Sequence, residues 1–246
     1  MTEFKDLFSE RASEYARFRP RYPDTLFEWL AAHTSRHELA VDVATGNGQA
    51  ALGLAPHYRR VIAIDLSAEQ IAHATAHPDV EYRLAAADRT GLPDGCADLV
   101  TVAQALHWLP FETFFTEARR VLAPDGLFAA WGYKKPSVAP RFDAIFGEFC
   151  DDVDAYWPPD RKWVEAEYEP IDLPFRRVAA PSFAMESPMT FETFIGYMRT
   201  WSATKRFHAA HGRDPVAPYM DRMAQAWPGA GRQIVRFPLF VRAGRL

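Results

Sequence analysis

A doubly wound α/β fold around a mostly parallel sheet is the class this sequence predicts. Three observations carry that expectation. Short apolar runs alternate with helical patterns from Leu39 to Tyr133. The run "RVIAIDLS" (Arg60–Ser67) is apolar without alternation until Asp65, as expected of a strand covered on both faces. Between the first strand and its helix stands Gly46-Asn47-Gly48, a turn that brings backbone N–H groups to the strand end.

The elements follow in order. Pro23 suits a first helical turn, and Leu26, Phe27, Leu30 and Ala31 then mark one apolar face. A strand over Leu39–Ala44 enters the glycine turn and an alanine-rich helix to about His57. Ser67 is placed to cap a helix carrying Ile71, Ala72 and Ala74. "VEYRLA" is a third, shorter strand, and Cys96–Leu106 a fourth, the most hydrophobic. A helix from about Phe111 to Leu122 leads to the fifth strand, Gly126–Tyr133.

Beyond Tyr133 the alternation stops. Residues 136–231 are rich in aromatics and proline, with helical stretches expected near 140–152, 190–202 and 214–226. Thr190 fits a cap, and Phe191, Phe194, Ile195 and Met198 follow at the spacing of a buried stripe. "DAYWPPDRKWVEAEYEP" is the most irregular stretch and reads as a loop over the main domain. "QIVRFPLFVRAGRL" reads as a late strand, paired with another near Phe175–Phe183.

Composition narrows the function classes. The 246 residues are 48% hydrophobic and 24% charged, ordinary globular values that permit a full core. Two cysteines, Cys96 and Cys150, offer no disulfide framework and favour a reducing, cytoplasmic setting. The first twenty residues are charged throughout, unlike a signal peptide, and no apolar run is long enough for a membrane span. A net charge of −4 speaks against a polyphosphate partner; Arg17, Arg19 and Arg21 form a local basic exception, either a solvated arm or an anion clamp.

Two carboxylates give the turn its chemistry. Gly46 to Ala51 fits the dinucleotide pattern G-x-G-x-x-G/A, but that loop alone does not select a cofactor. Asp65 ends the second strand at the distance expected of an acid that accepts from ribose hydroxyls. Asp88 follows the third strand, where an adenine amine would need an acceptor; its other reading is an exposed loop carboxylate.

Taken together, "VDVATGNGQ", "VIAIDLSAEQIAHA", "LAAADRTGLPDGCADLVTVAQALHWL" and "EARRVLAPDGLFAAWGY" resemble the successive motifs of class I S-adenosylmethionine-dependent methyltransferases. With "YARFRPRYP" and "AQALHW", the likeness is to the branch containing trans-aconitate methyltransferase and similar small-molecule enzymes. The resemblance covers residues 15–133 well and the later segment loosely.

It implies a Rossmann-like seven-stranded sheet with an antiparallel last strand and a helical insertion after the fifth strand. The division would be a helical arm or lid over 1–35, the cofactor-binding core over 36–135, an aromatic-rich substrate cap with the sixth strand over 136–231, and the last strand over 232–246. S-adenosylmethionine would be held at its methionine end by Asp42 and by Ala44, Thr45, Gly46 and Gly48 of the loop. Asp65 would take the ribose, Leu66 and Gln70 the adenine, Ala87 and Asp88 its amine, and Gln104 would line the donor pocket. Ala44 stands where the family usually has glycine, and a methyl there calls for negative φ.

The implied function is methyl transfer to a small molecule, with a carboxylic acid as the candidate class and no metal required. Its acceptor wall would comprise Tyr15, Arg19 and Tyr22, His107 and Trp108, Trp131 and Tyr133, and Arg199 and Trp201. His107 would position a carboxylate, or take the proton of a phenol or hydroxyl. Tyr15 and Arg19 would belong to a lid that excludes water. Three other readings of the sequence stay open: a nicotinamide-dependent oxidoreductase, a non-catalytic cofactor-binding regulator, and an RNA methyltransferase using the arginines of the arm.

Overall fold

In the computed structural model, which describes residues 20–246, the alternation read from the sequence is a parallel sheet. Extended backbone at Pro23 starts α1 (Asp24–Ala32), which buries Leu26, Phe27 and Leu30 and leaves Ala31 half-buried. Then come β1 (Leu39–Val43), α2 (Gln49–Leu54), β2 (Arg60–Asp65), α3 (Ala68–Ala72) and β3 (Val80–Leu84). Next are β4 (Ala97–Ala103), α4 (Phe111–Val121) and β5 (Leu122–Tyr133). Ser67 caps α3, its Oγ accepting from Gln70 N at 3.2 Å.

The strands run in the order β3-β2-β1-β4-β5, all in parallel pairs. The order reverses at β1, and open α/β sheets place their ligand crevice at such a reversal, here beyond the carboxyl ends of β1 and β4. One row of register partners, Tyr82, Ala63, Asp42 and Thr101, crosses β3, β2, β1 and β4.

After β5 come α5 (Pro140–Asp152), α6 (Arg161–Glu165), β6 (Arg176–Val178), β7 (Phe183–Met189), α7 (Phe191–Arg199), α8 (Ser202–His211), α9 (Met220–Ala226) and β8 (Gln233–Arg245). The antiparallel last strand is as expected: β8 pairs with β5 from Tyr133↔Leu239 to Leu127↔Arg245. The sheet holds eight strands among the described residues rather than seven. At 13 residues β8 is long, and β6 takes only Ala243–Arg245 on its far edge, so β7 also pairs with it.

The chain forms two compact units. The sheet unit comprises Tyr22–Lys134, Lys162–Ala184 and Pro238–Leu246; the helical unit has residues 20–21, Lys135–Arg161 and Met185–Phe237. The block expected over 136–231 is therefore divided, and packing explains it. Phe175 stacks on Phe128 of β5 at 4.7 Å between ring centres, and Val164, Tyr168 and Ile171 are buried in the core of the sheet unit. Within the expected surface loop, Val164 and Tyr168 are thus core, and the rest is half-buried or exposed.

The helical unit is held by aromatic packing. Phe142 of α5 meets Phe194 of α7 at 5.2 Å and Trp227 at 5.1 Å, both edge to face. Thr190 caps α7 by accepting from Thr193 N, and Phe194, Ile195 and Met198 are buried, so that stripe is core. α8 was not expected. It buries only Ala203, Thr204 and Phe207, too narrow a face to register as periodic, and extended backbone at Trp201 separates it from α7.

Candidate active site

The end of β1 turns sharply over residues 44–48. Ala44 has φ 54°, Gly46 φ 58° and Gly48 φ 87°. The negative φ expected of Ala44 is not what the chain adopts. A left-handed alanine costs on the order of 1–2 kcal/mol, and the turn is pinned strongly enough to hold it. Thr45 N donates to Ile64 O and Gly48 N to Thr45 O, each at 3.0 Å.

Asp42 braces this turn from beneath. It is fully buried, accepting from Thr45 Oγ1 at 2.6 Å and from Thr101 Oγ1 at 2.8 Å. Burial pushes its carboxyl up to about 6, the charge of Asp65 adds to the rise, and the hydroxyl donors work against it. Asp65 stands beside the turn, its Oδ2 accepting from Gly46 N and its Oδ1 from Ser67 N, both at 2.8 Å. A carboxylate has about four acceptor positions, so each oxygen keeps one for a ligand.

Around Asp65 lie groups suited to a flat, partly apolar ligand. Leu66 is 74% exposed and Leu84, the register partner of Asp65, is 61% exposed. Burying one leucine contributes about 1.5–3 kcal/mol, a gain these two forgo in the protein alone. Gln70 is half-buried, and its Oε1 lies near the Cα face of Gly46. Ala87 is half-buried, and exposed Asp88 accepts from Thr113 Oγ1 at 3.3 Å. Two residues of this region carried no sequence signal. Leu84 read as an ordinary strand residue, and Tyr82 packs so closely on Gly48 that a Cβ there would collide with its ring.

The ends of β4 and β5 are tied by Gln104. Its backbone is left-handed at φ 54°, its N donates to Trp131 O at 2.7 Å, and its Oε1 accepts from Tyr133 N at 2.9 Å. The amide carbonyl is spent on the sheet, so the –NH2 group is the part able to face a ligand.

Beside it, Trp131 is fully buried, with the Tyr22 ring edge-on at 5.6 Å and Phe27 at 6.4 Å. The indole Nε1 has no hydrogen-bond partner among the described residues, a loss of about 1–3 kcal/mol. His107 is buried, with the half-buried Trp108 ring 4.4 Å away. Its Nδ1 lies 2.9 Å from the Tyr168 hydroxyl. Tyr168 is the partner that no sequence signal revealed, because it sits in the stretch read as a loop.

Arg199 and Trp201 belong to the helical unit and are occupied there. Arg199 pairs with Asp214 at 2.6 Å, and Trp201 packs on Phe146, Trp157 and Tyr197. Tyr15, Arg17 and Arg19 lie outside the described residues, as does most of the expected lid. Among the described residues no three His, Cys, Asp or Glu side chains are grouped to hold a metal ion, and no helix is long and apolar enough to cross a membrane.

Comparison with known proteins agrees with this geometry. Residues 41–130 match the model of a methyltransferase domain family. A Dictyostelium discoideum protein named as a methyltransferase is 32% identical over 98% of this chain and 95% of its own length. Saccharomyces cerevisiae CRG1, named as an S-adenosylmethionine-dependent methyltransferase, is 30% identical over 54% of this chain and 49% of its own. A solved structure from Anaeromyxobacter dehalogenans, described as a type II methyltransferase, superposes with a TM-score of 0.88. It is 38% identical and covers 92% of this chain and 97% of its own. The glycine turn, the carboxylate beside it and a likeness spanning nearly the whole chain converge: the protein belongs to the class I S-adenosylmethionine-dependent methyltransferases.

Proposed function

We propose that the protein methylates an oxygen of a small anionic acceptor, a carboxylic acid being the class that best suits the residues. The observation that supports this reading is the composition of the β4 and β5 ends, where the Trp108 ring lies 4.4 Å from the His107 imidazole, the Tyr22 ring meets the Trp131 indole edge-on, and Tyr133 ends β5. An aromatic wall suits a small molecule and excludes water, and an imidazole suits one polar group. The net charge of −4 argues against nucleic acid. Unpaired Cys96 and Cys150 agree with a reducing, cytoplasmic setting.

On this reading the residues divide their work. Asp65 accepts from the ribose hydroxyls with its remaining lone pairs. Leu66, Leu84 and Gln70 cover the adenine, and Ala87 and Asp88 meet its amine. The turn from Ala44 through Thr45 and Gly46 to Gly48, braced by Asp42, cradles the methionine end, and Gln104 presents its –NH2 group there. S-adenosylmethionine, when bound, supplies a methyl already activated on a sulfonium, so an anionic acceptor needs no base. The protein's contribution is then alignment, worth on the order of 7–11 kcal/mol in well-oriented systems.

The test is transfer from donor carrying a deuterated methyl group into a mixed extract of small metabolites, read by mass spectrometry. Label on a carboxylate as its methyl ester is the expected result. Label confined to amines, carbon acids or RNA would overturn the acceptor class.

A further inference from the structure

We propose that Tyr168 is a positioning residue for His107: its hydroxyl donates to Nδ1 and so fixes the proton of the imidazole on Nε2. The inference rests on His107 being part of the acceptor site and sharpens the acceptor's chemistry. A phenol O–H is a good donor, and the unprotonated imidazole nitrogen is a strong neutral acceptor. The phenol oxygen is the poorer acceptor because its lone pair is shared with the ring. With 2.9 Å between Oη and Nδ1, the favoured arrangement is O–H···Nδ1. Nε2 then carries the hydrogen, and what it meets in the acceptor site must accept a hydrogen bond. A carboxylate or another oxyanion does so; an ammonium or a neutral phenol presenting its O–H does not.

The protein invests structure in this contact. Tyr168 is fully buried although it lies in an irregular stretch, and its ring meets Phe240 edge to face at 5.1 Å. Glu167 and Tyr168 are consecutive non-glycine residues in the left-handed region, at φ 54° and 58°. Such strain persists only where the surroundings over-determine it, and it gathers at functional sites. Here Tyr168 N donates to Trp163 O at 2.8 Å. Its carbonyl accepts from Ile171 N at 3.0 Å and from Arg242 Nη1 at 2.7 Å, and Lys134 pairs with Glu167. The strained turn thus delivers one phenol to one imidazole nitrogen, 61 residues away in sequence.

The experiment is ring-nitrogen NMR of the full-length protein labelled with 15N-histidine, with the His107 signals assigned through His107→Gln. The expected result is Nδ1 in the unprotonated range and Nε2 in the protonated range. In Tyr168→Phe, which keeps the ring, the two nitrogens should move toward the averaged shifts of a mixed tautomer while the thermal midpoint changes little. A wild-type Nδ1–H tautomer would overturn the proposal, as would a folded Tyr168→Phe whose His107 shifts are unchanged. If Tyr168→Phe does not fold, the wild-type tautomer decides alone. No acceptor is needed, so failure here is distinct from failure of the acceptor reading, which the labelled extract tests.

Discussion

The two halves of the crevice are built by different means. At the ends of β1 and β2 the work is done by backbone: three left-handed residues, with Asp42 and Asp65 tying the turn down. At the ends of β4 and β5 it is done by side chains, and His107 depends on a tyrosine from a distant segment. A backbone-built half can serve one invariant ligand across many sequences. A side-chain-built half can be changed one residue at a time. On the proposed function, the donor takes the first side and the variable acceptor the second.

Breaking the donor half should have the largest effect. Asp65→Ala removes a charged acceptor worth about 1.5–3 kcal/mol. Calorimetry should show binding of the donor or its demethylated product weakened by at least tenfold, with NAD ignored by wild type and variant alike. Asp42 makes the same half sensitive to pH. Its folded pKa of about 6 lies above the unfolded value of 3.8, so the native state binds the extra proton between them. Its contribution therefore lowers stability as pH rises from about 4 to about 6, by on the order of 2–3 kcal/mol. Asp42→Asn should flatten that limb of the thermal midpoint against pH.

Smaller changes sharpen the contrast. Gly48→Ala meets both a positive φ and the Tyr82 ring, and should cost about 2 kcal/mol of stability. Adding Tyr82→Ala should recover only the part due to the collision. Leu66→Ser should leave the thermal midpoint within experimental scatter while weakening donor binding by about 1 kcal/mol. Ala44→Gly should be the mildest. Relief of the left-handed alanine, about 1–2 kcal/mol, is offset by the greater freedom of glycine in the unfolded chain, about 0.4–1 kcal/mol. A midpoint raised by a few degrees at most is expected, with donor affinity retained.

The same division decides what could be read in the sequence. The sheet was legible because β1, β2 and β4 are apolar runs at regular intervals, each with a turn signal after it. Asp65 and Ser67 stand at or just after the end of β2, so local spacing marks an acid at a strand end and a helix cap, whereas Leu66 enters only through the family resemblance. What was not legible depends on contacts distant in sequence. Tyr168 and Phe175 lie in a proline-rich, charged stretch, where packing on Phe240 accompanies full burial of Tyr168 and stacking on Phe128 half-buries Phe175. The φ of Ala44 was misread for a related reason, since residue type suggests the unstrained conformation and the anchoring hydrogen bonds impose the other. α8 escaped because its buried face is narrow, and nothing local reveals Asp214 or the Trp157 ring as neighbours of Arg199 and Trp201.

On the proposed function, His107 positions an anionic oxygen and does not act as a base. The most direct test is the pH dependence of the methyl-transfer rate to the acid found in the labelled screen, for wild type and His107→Gln, whose amide can still donate. A positioning role gives a flat profile through neutrality in both proteins and a variant that keeps much of the wild-type rate. A rate that collapses in His107→Gln, together with loss of a wild-type titration near neutrality, would contradict it.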